Sequence, residues 1–250
     1  MIVKNIIKIL EEKFPVQNKE EWDNVGLMVG DTEAEIKKAY VCLDITPKIV
    51  EFAIKNECNL IITHHPFIMP AILNIDYKNE KASMIRDIIK NDINVYSMHT
   101  NFDSSIGGIN DILASLLELC DYTPKTAQIF RKGYLKKEIT LKEFVNNVKN
   151  ILNVKNVICA GEDNKKIKTV GICSGGGGSV IMEAYPCDVF FTGEAKYHEF
   201  QNALANDIAV VAAGHFETEN IALFKIRDIL KENNIEVVEK EVFEGFSRIV

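Results

Sequence analysis

Five histidines stand in the 250-residue chain, and their surroundings decide what they can do. Two of them are adjacent, His64 and His65 in "IITHHPFI", closing an apolar run directly before Pro66. Neighbouring side chains on a strand point to opposite faces. A His-His pair therefore serves one place mainly where the chain leaves the strand and both rings can turn the same way. His99 ("INVYSMHT") and His215 ("IAVVAAGH") also end strand-like runs, and His198 follows "DVFFTGE" by a few residues at the start of a helical segment. In open α/β sheets, ligands gather beyond the carboxyl ends of the strands.

Carboxylates accompany these histidines. Asp103 lies four residues after His99 in "MHTNFD", Glu194 four before His198 in "FTGEAKYHE", and Glu217 and Glu219 follow His215 in "AGHFETE". If residues 215–219 open a helix, His215 and Glu219 share one face, a turn apart. Mixed imidazole and carboxylate donors suit Zn²⁺, Mn²⁺ or Fe²⁺. Three or more histidines with two carboxylates exceed what one tetrahedral zinc requires. The surplus points to two metals bridged by carboxylates, with a water between them as nucleophile. Simpler roles stand beside these. A strand-end His often serves as a hydrogen-bonded rim residue, Asp103 before "SSIGG" suits a turn or helix cap, and Glu219 suits a first-turn acid.

Other patterns narrow the chemistry. "SGGGGS" (174–179) follows a strand and precedes a helix, so its backbone N–H groups could cradle an anion or its glycines could serve a tight turn with close packing. The third glycine of GxGxxG, the Gly-Lys-Ser/Thr of a Walker A loop and a GxSxG elbow are all absent. "HEFQN" (198–202) lacks the second histidine of HExxH.

The elements that must position these residues alternate. "KAYVCLDI", "NLIITHH" and "INVYSMHT" read as strands. Between and after them lie the helical "PKIVEFAIKNE", with Pro47 placed for a first turn, "EKASMIRDIIKN" and "GGINDILASLLEL". This β-α-β order argues for a mostly parallel sheet covered by helices. Composition shifts at "CDYTPKTAQ" (120–128). A second series follows: the helix "ITLKEFVNNVKNIL", with Thr140 and Glu143 as a capping box, the strands "NVICAGE", "KTVGICS", "DVFFTGE", "IAVVAAGH" and "IEVVEK", and the helical "SVIMEAY", "KYHEFQNALAND" and "TENIALFKIRDILKENN". The expected organisation is one α/β unit over residues 1–125 and another over 126–250.

The totals set bounds. A hydrophobic fraction of 47% with 26% charged residues describes a globular chain able to bury a core. No apolar run approaches the roughly 20 residues needed to cross a bilayer. The start, "MIVKNIIKILEEKF", lacks the apolar segment and cleavage site of a signal peptide, so a cytoplasmic protein without membrane attachment is expected. Six scattered cysteines without a CxxC pair are expected to be buried reduced thiols. A net charge of −7 gives no footprint for nucleic acid. The lysine runs "RKGYLKK" (131–137) and "NKKIKT" (164–169) read as solvated loops or edges.

Five motifs in this order, "EEWDNVGLMVG", "THHP", "HTNFD", "CSGGGGS" with "TGEAKYHE", and "GHFETE", resemble one family over about residues 20–250. They are similar to the Nif-three-like proteins, also called GTP cyclohydrolase I type 2 homologues or dinuclear metal centre proteins, in the short form without an inserted domain. The resemblance implies two intertwined three-layer α/β/α domains with mixed, mostly parallel sheets. It also implies a ring-shaped homohexamer with two divalent metal ions (Zn, Fe or Mn) per subunit. Carried over residue by residue, the ligands are His64, His65, Asp103, His215 and Glu219. His99 and His198 match positions near the metals as acid–base candidates, with Glu194 orienting one of them, and "WDNVG" forms a rim with a turn at Asn24 and Gly26. The implied chemistry is hydrolytic opening of the guanine ring of GTP. Phosphoester hydrolysis is a second enzymatic reading. A third is a ring that holds nucleic acid or serves as a scaffold, its opening lined by Arg131, Lys132, Lys136 and Lys137.

Overall fold

The computed structural model describes residues 1–122, 127–240 and 245–246. The chain divides into two units, one formed by Met1–Phe102 with the segment that returns from Leu223 and the other by Asp103–Ala222. It passes from the first to the second and returns. Of the compositional shift at 120–128, residues 123–126 lie outside the described residues, and the flanking residues belong to the second unit.

The first unit opens with α1 (Val3–Lys13), which buries Val3, Ile6 and Leu10 at helical spacing. Its sheet contains β1 (Gly26–Val29), β2 (Lys38–Cys42), β3 (Leu60–Thr63), β4 (Asn94–Ser97) and β10 (Glu236–Val238), in the order β1-β4-β3-β2-β10. Only β1 runs antiparallel to its neighbour. Every residue of β3 and β4 is buried, as a strand covered on both faces requires. Helices α2 (Pro47–Lys55) and α3 (Glu80–Lys90) pack Ile49, Val50, Ile85 and Ile88 against Ile61 and Val95 of the sheet. Thr46 caps α2 by accepting from the Ile49 N–H at 3.3 Å, with Pro47 in the first turn as expected. The return segment supplies α9 (Phe224–Glu232) and β10, whose Val237 lies in register with Ala39 of β2. A chain that leaves its first sheet and comes back to complete it is intertwined.

After α4 (Thr100–Ser104), the second unit contains α5 (Ile109–Leu116), β5 (Arg131–Thr140), α6 (Leu141–Leu152), β6 (Ile158–Ala160), β7 (Lys166–Cys173), β8 (Val189–Thr192), α7 (Tyr197–Ala205), β9 (Ala209–Ala212) and α8 (His215–Asn220). Its sheet order is β5-β7-β8-β9-β6, parallel in the centre and antiparallel at both edges. Both sheets are therefore five-stranded and mixed. The capping box forms: the Thr140 N–H donates to Glu143 Oε2 at 2.7 Å, and the Glu143 N–H to Thr140 Oγ1 at 3.2 Å.

Three elements differ from the sequence expectation. "RKGYLKK" begins an edge strand, β5, on which Arg131, Gly133 and Leu135 are buried in alternation with more exposed residues. The run "SVIMEAY" forms a 3₁₀ helix, Gly177–Ala184. The last helical run breaks into α8 and α9, and the chain changes units between them. Four cysteines are buried as expected, but Cys120 is partly exposed and Cys159 is exposed on the edge strand β6. Among the described residues no helix is long and apolar enough to cross a membrane.

Candidate metal centre

In the first unit, His64 and His65 follow β3 while their backbone N–H groups still bond along β2, to Cys42 O at 3.1 Å and Leu43 O at 2.9 Å. This holds the turn in place as the strand ends. The rings lie with centroids 5.1 Å apart and tilted by 48°. His99, two residues past β4, joins them at 5.1 Å from His64 and 5.7 Å from His65. One donor atom from each of the three lies within 4.8 Å of the others.

The partners of the three rings fix their tautomers. His64 Nδ1–H donates to Met98 O, His65 Nδ1–H to Asp44 Oδ1 and His99 Nδ1–H to Asp23 Oδ1, each at 2.8 Å. A carbonyl or carboxylate oxygen only accepts, so the proton of each neutral ring belongs on Nδ1 and the lone pair on Nε2. Imidazole ligands of metals are oriented in this way by a second hydrogen bond. Asp23 is itself fixed, accepting from the Thr100 N–H at 3.0 Å and from the Thr100 hydroxyl. Burial opposes its charge, but hydrogen bonds from His99 and Thr100, with the attraction of His99, outweigh that and lower the carboxyl from 3.8 to about 2. Asp23 and Asp44 were not among the residues singled out from the sequence. The visible signal for Asp44 was its position at the carboxyl end of a strand-like run.

In the second unit, Asp103 is buried and its Oδ1 accepts from the Ser174 hydroxyl at 3.1 Å. His215 opens α8 with Nε2 3.2 Å from Glu219 Oε1, one turn on, and Nδ1 3.3 Å from Glu194 Oε2. A neutral imidazole has one N–H, so a proton or metal ion between one nitrogen and its carboxylate reconciles this geometry. Glu219 is 3% exposed. Cys173 feels both acids: burial, then the charges of Asp103 and Glu219, raise its thiol well above the ordinary value. These donors fit a divalent cation, which would offset the clustered negative charge.

The glycine run resolves toward packing. Gly175 has φ +56°, and a Cβ there would run into Glu219 Oε1. The Gly175 N–H donates to Thr218 Oγ1 at 3.1 Å and the Gly178 N–H to Glu194 O at 3.2 Å. A phosphate would meet the Glu219 and Glu199 carboxylates at this loop.

Glu194 pairs with His215 rather than with His99 or His198. His198 is exposed on the first turn of α7 and joins neither donor set. Asn24 donates to Ile68 O at 2.7 Å, so the "WDNVG" segment is tied to the loop after His65. Arg131 cannot line an opening. Its side chain is fully buried, and its five N–H groups bond to Asp111 Oδ1 and to the carbonyls of Gln128, Phe130, Ser104 and Ser105. This anchor was not visible in the sequence, because an Arg in a lysine run looks solvated.

A family profile described as Duf34/NIF3 (NGG1p interacting factor 3) matches residues 1–244. The chain belongs to the DUF34/NIF3 family. It is 37% identical over 262 residues, covering all of both chains, to a Clostridium perfringens protein named GTP cyclohydrolase 1 type 2 homolog. It is 29% identical, covering 93% of each chain, to the Helicobacter pylori protein named GTP cyclohydrolase 1 type 2. Among solved structures it resembles a Bacillus cereus protein related to NIF3, with TM-score 0.92 at 21% identity over 100% of this chain and 99% of that one. It also resembles reduced HcgD from Methanocaldococcus jannaschii, with TM-score 0.83 at 31% identity over 95% and 96%. The first likeness shows the fold. The second joins likeness of fold to likeness of sequence across nearly the whole of both chains.

Proposed function

We propose that the protein binds divalent metal ions through His64 and His65 of the first unit and Asp103, His215 and Glu219 of the second, and hydrolyses a purine nucleotide in the manner of a GTP cyclohydrolase. The observation that carries this reading is the shared orientation of His64 and His65, each with Nδ1 tied to an acceptor, which places the lone pair of a neutral ring on Nε2 as the ligand atom. The ligand types accept Zn²⁺, Fe²⁺ or Mn²⁺, and five of them suit about two ions per chain. Such ions supply Lewis acidity and activation of water. The names of the relatives support guanine as the group attacked: one water adds at C8 and the imidazole ring opens to a formamide, and a second water hydrolyses that formamide to release formate and leave an amine.

The chain's own groups move the protons. Asp23 holds the His99 ring at Nδ1, so Nε2 is the nitrogen that can take a proton from the attacking water and return it to the ring nitrogen that leaves. His64, with no exposed surface, helps keep bulk water from the cluster. Glu194 holds the His215 ring in orientation. The assembly proposed with this chemistry is a homohexameric ring.

The test is metal content of protein purified without added metal, paired with formate release from GTP after reconstitution. About two ions are expected, with formate release lost in His65→Ala and Glu219→Ala while sedimentation shows the assembly intact. Two ions without formate would keep the metal site and reject GTP. No metal under any loading would reject the site.

A further inference from the structure

We propose that Trp22 is the platform on which the ligand's base stacks, setting the reacting ring beside the His64–His65–His99 cluster. The proposal rests on the nucleotide reading above.

Trp22 is 61% exposed, whereas Phe14, Phe102, Phe144, Phe190 and Phe191 are all 2% exposed or less. An exposed indole at the edge of a buried cluster, its ring held against His99, is available for recognition. The segment beneath it is rigid. Asp23 is buried and accepts from the Asn24 N–H at 2.7 Å, while the Lys19 ammonium donates to Asp23 O at 2.6 Å and the Glu20 N–H to Thr100 Oγ1 at 2.9 Å. The indole is therefore presented at a fixed place with little ordering left to do on binding.

That place is the edge of the cluster. The Trp22 and His99 ring centroids are 5.8 Å apart with planes at 75°. A near-perpendicular contact occupies at most one indole face and leaves the other for stacking. Trp22 lines a groove with Asn24, Met28, Ile68, Met69 and Ile72, and among the described residues no charged side chain lines it. Such a groove suits the flat neutral part of a nucleotide and not its phosphates. Asn24 adds one polar contact: its amide nitrogen is committed to Ile68 O, while its carboxamide oxygen accepts no hydrogen bond among the described residues. It can accept from a base N–H.

Trp22 is the one tryptophan of the chain, so intrinsic emission reports this groove alone. The metal-loaded protein is titrated with guanosine, GTP and ribose 5-phosphate. Guanosine and GTP should change the emission saturably and ribose 5-phosphate should not. Trp22→Ala should weaken guanosine binding by calorimetry about tenfold, Trp22→Phe by less, with metal content unchanged in both. Turnover of GTP with unaltered emission, or equal guanosine affinity in Trp22→Ala, would overturn the proposal and leave the hydrolase reading standing. Emission that resists both guanosine and a small neutral quencher would also overturn it, assigning the groove to a second copy of the chain. Saturable quenching without formate release would keep the groove and reject the cyclohydrolase reaction.

Discussion

The two donor sets solve opposite problems. In the first unit, three imidazoles converge, and each is oriented by an acceptor behind it: a backbone carbonyl, Asp44 or Asp23. That set is internally balanced, because every ring donates to a fixed oxygen. In the second unit, Glu194 and Glu219 bring negative charge to one imidazole, Asp103 is buried against Ser174, and a Cβ at Gly175 would run into Glu219. That set gains more from a cation. Hydrogen bonds prepare the first set and close packing with clustered charge prepares the second, so they should fail in different ways.

The largest expected effect breaks the second set alone. Arg131→Met leaves Asp111 charged and buried and strips hydrogen bonds from the carbonyls of Ser104 and Ser105, next to Asp103. Removing one partner of a buried pair costs about 3–5 kcal/mol. Urea unfolding should show a loss of that order. Gly175→Ala comes next: its φ is positive and its Cβ would displace Glu219. A cost of about 2–3 kcal/mol and the loss of about one metal equivalent per chain are expected, read by denaturation and metal analysis.

Acid titration probes the first set. The Asp23 carboxyl lies at about 2 when folded against an ordinary 3.8, so folding favours its ionised form. This contribution, about 2 kcal/mol, is complete above pH of about 4 and is lost as pH falls through about 2. Asp23→Asn in the metal-free protein should flatten the stability curve over that window. The smallest effect is Asp44→Asn, which weakens the orientation of His65 without disturbing packing. Metal affinity should fall about tenfold with thermal stability of the metal-free protein nearly unchanged. Equal metal loss from Gly175→Ala and Asp44→Asn would erase the contrast between the sets.

Much of this was legible in the chain. The strands ending in His64, His99 and His215, the capped helices α2 and α6, and the His215–Glu219 turn follow from apolar periodicity and local capping, which act over a few residues. Less legible were the partners that orient the rings. His65 meets Asp44 across 21 residues and His99 meets Asp23 across 76, and spacing carries no signal at such separations. Arg131 shows the same limit: in its lysine run it looked solvated, and only the register of β5 against β7 turned it inward.

By itself, then, the sequence determined which residues could bind metal, which strands would present them and which family the motifs resembled. Those properties depend on residue type and short-range period. The tertiary structure decided which ring nitrogen meets an acceptor, why Gly175 must lack a side chain and how the last segment returns to finish the first sheet. Each of these is a contact between distant parts of the chain, and such contacts exist only once the sheets have paired.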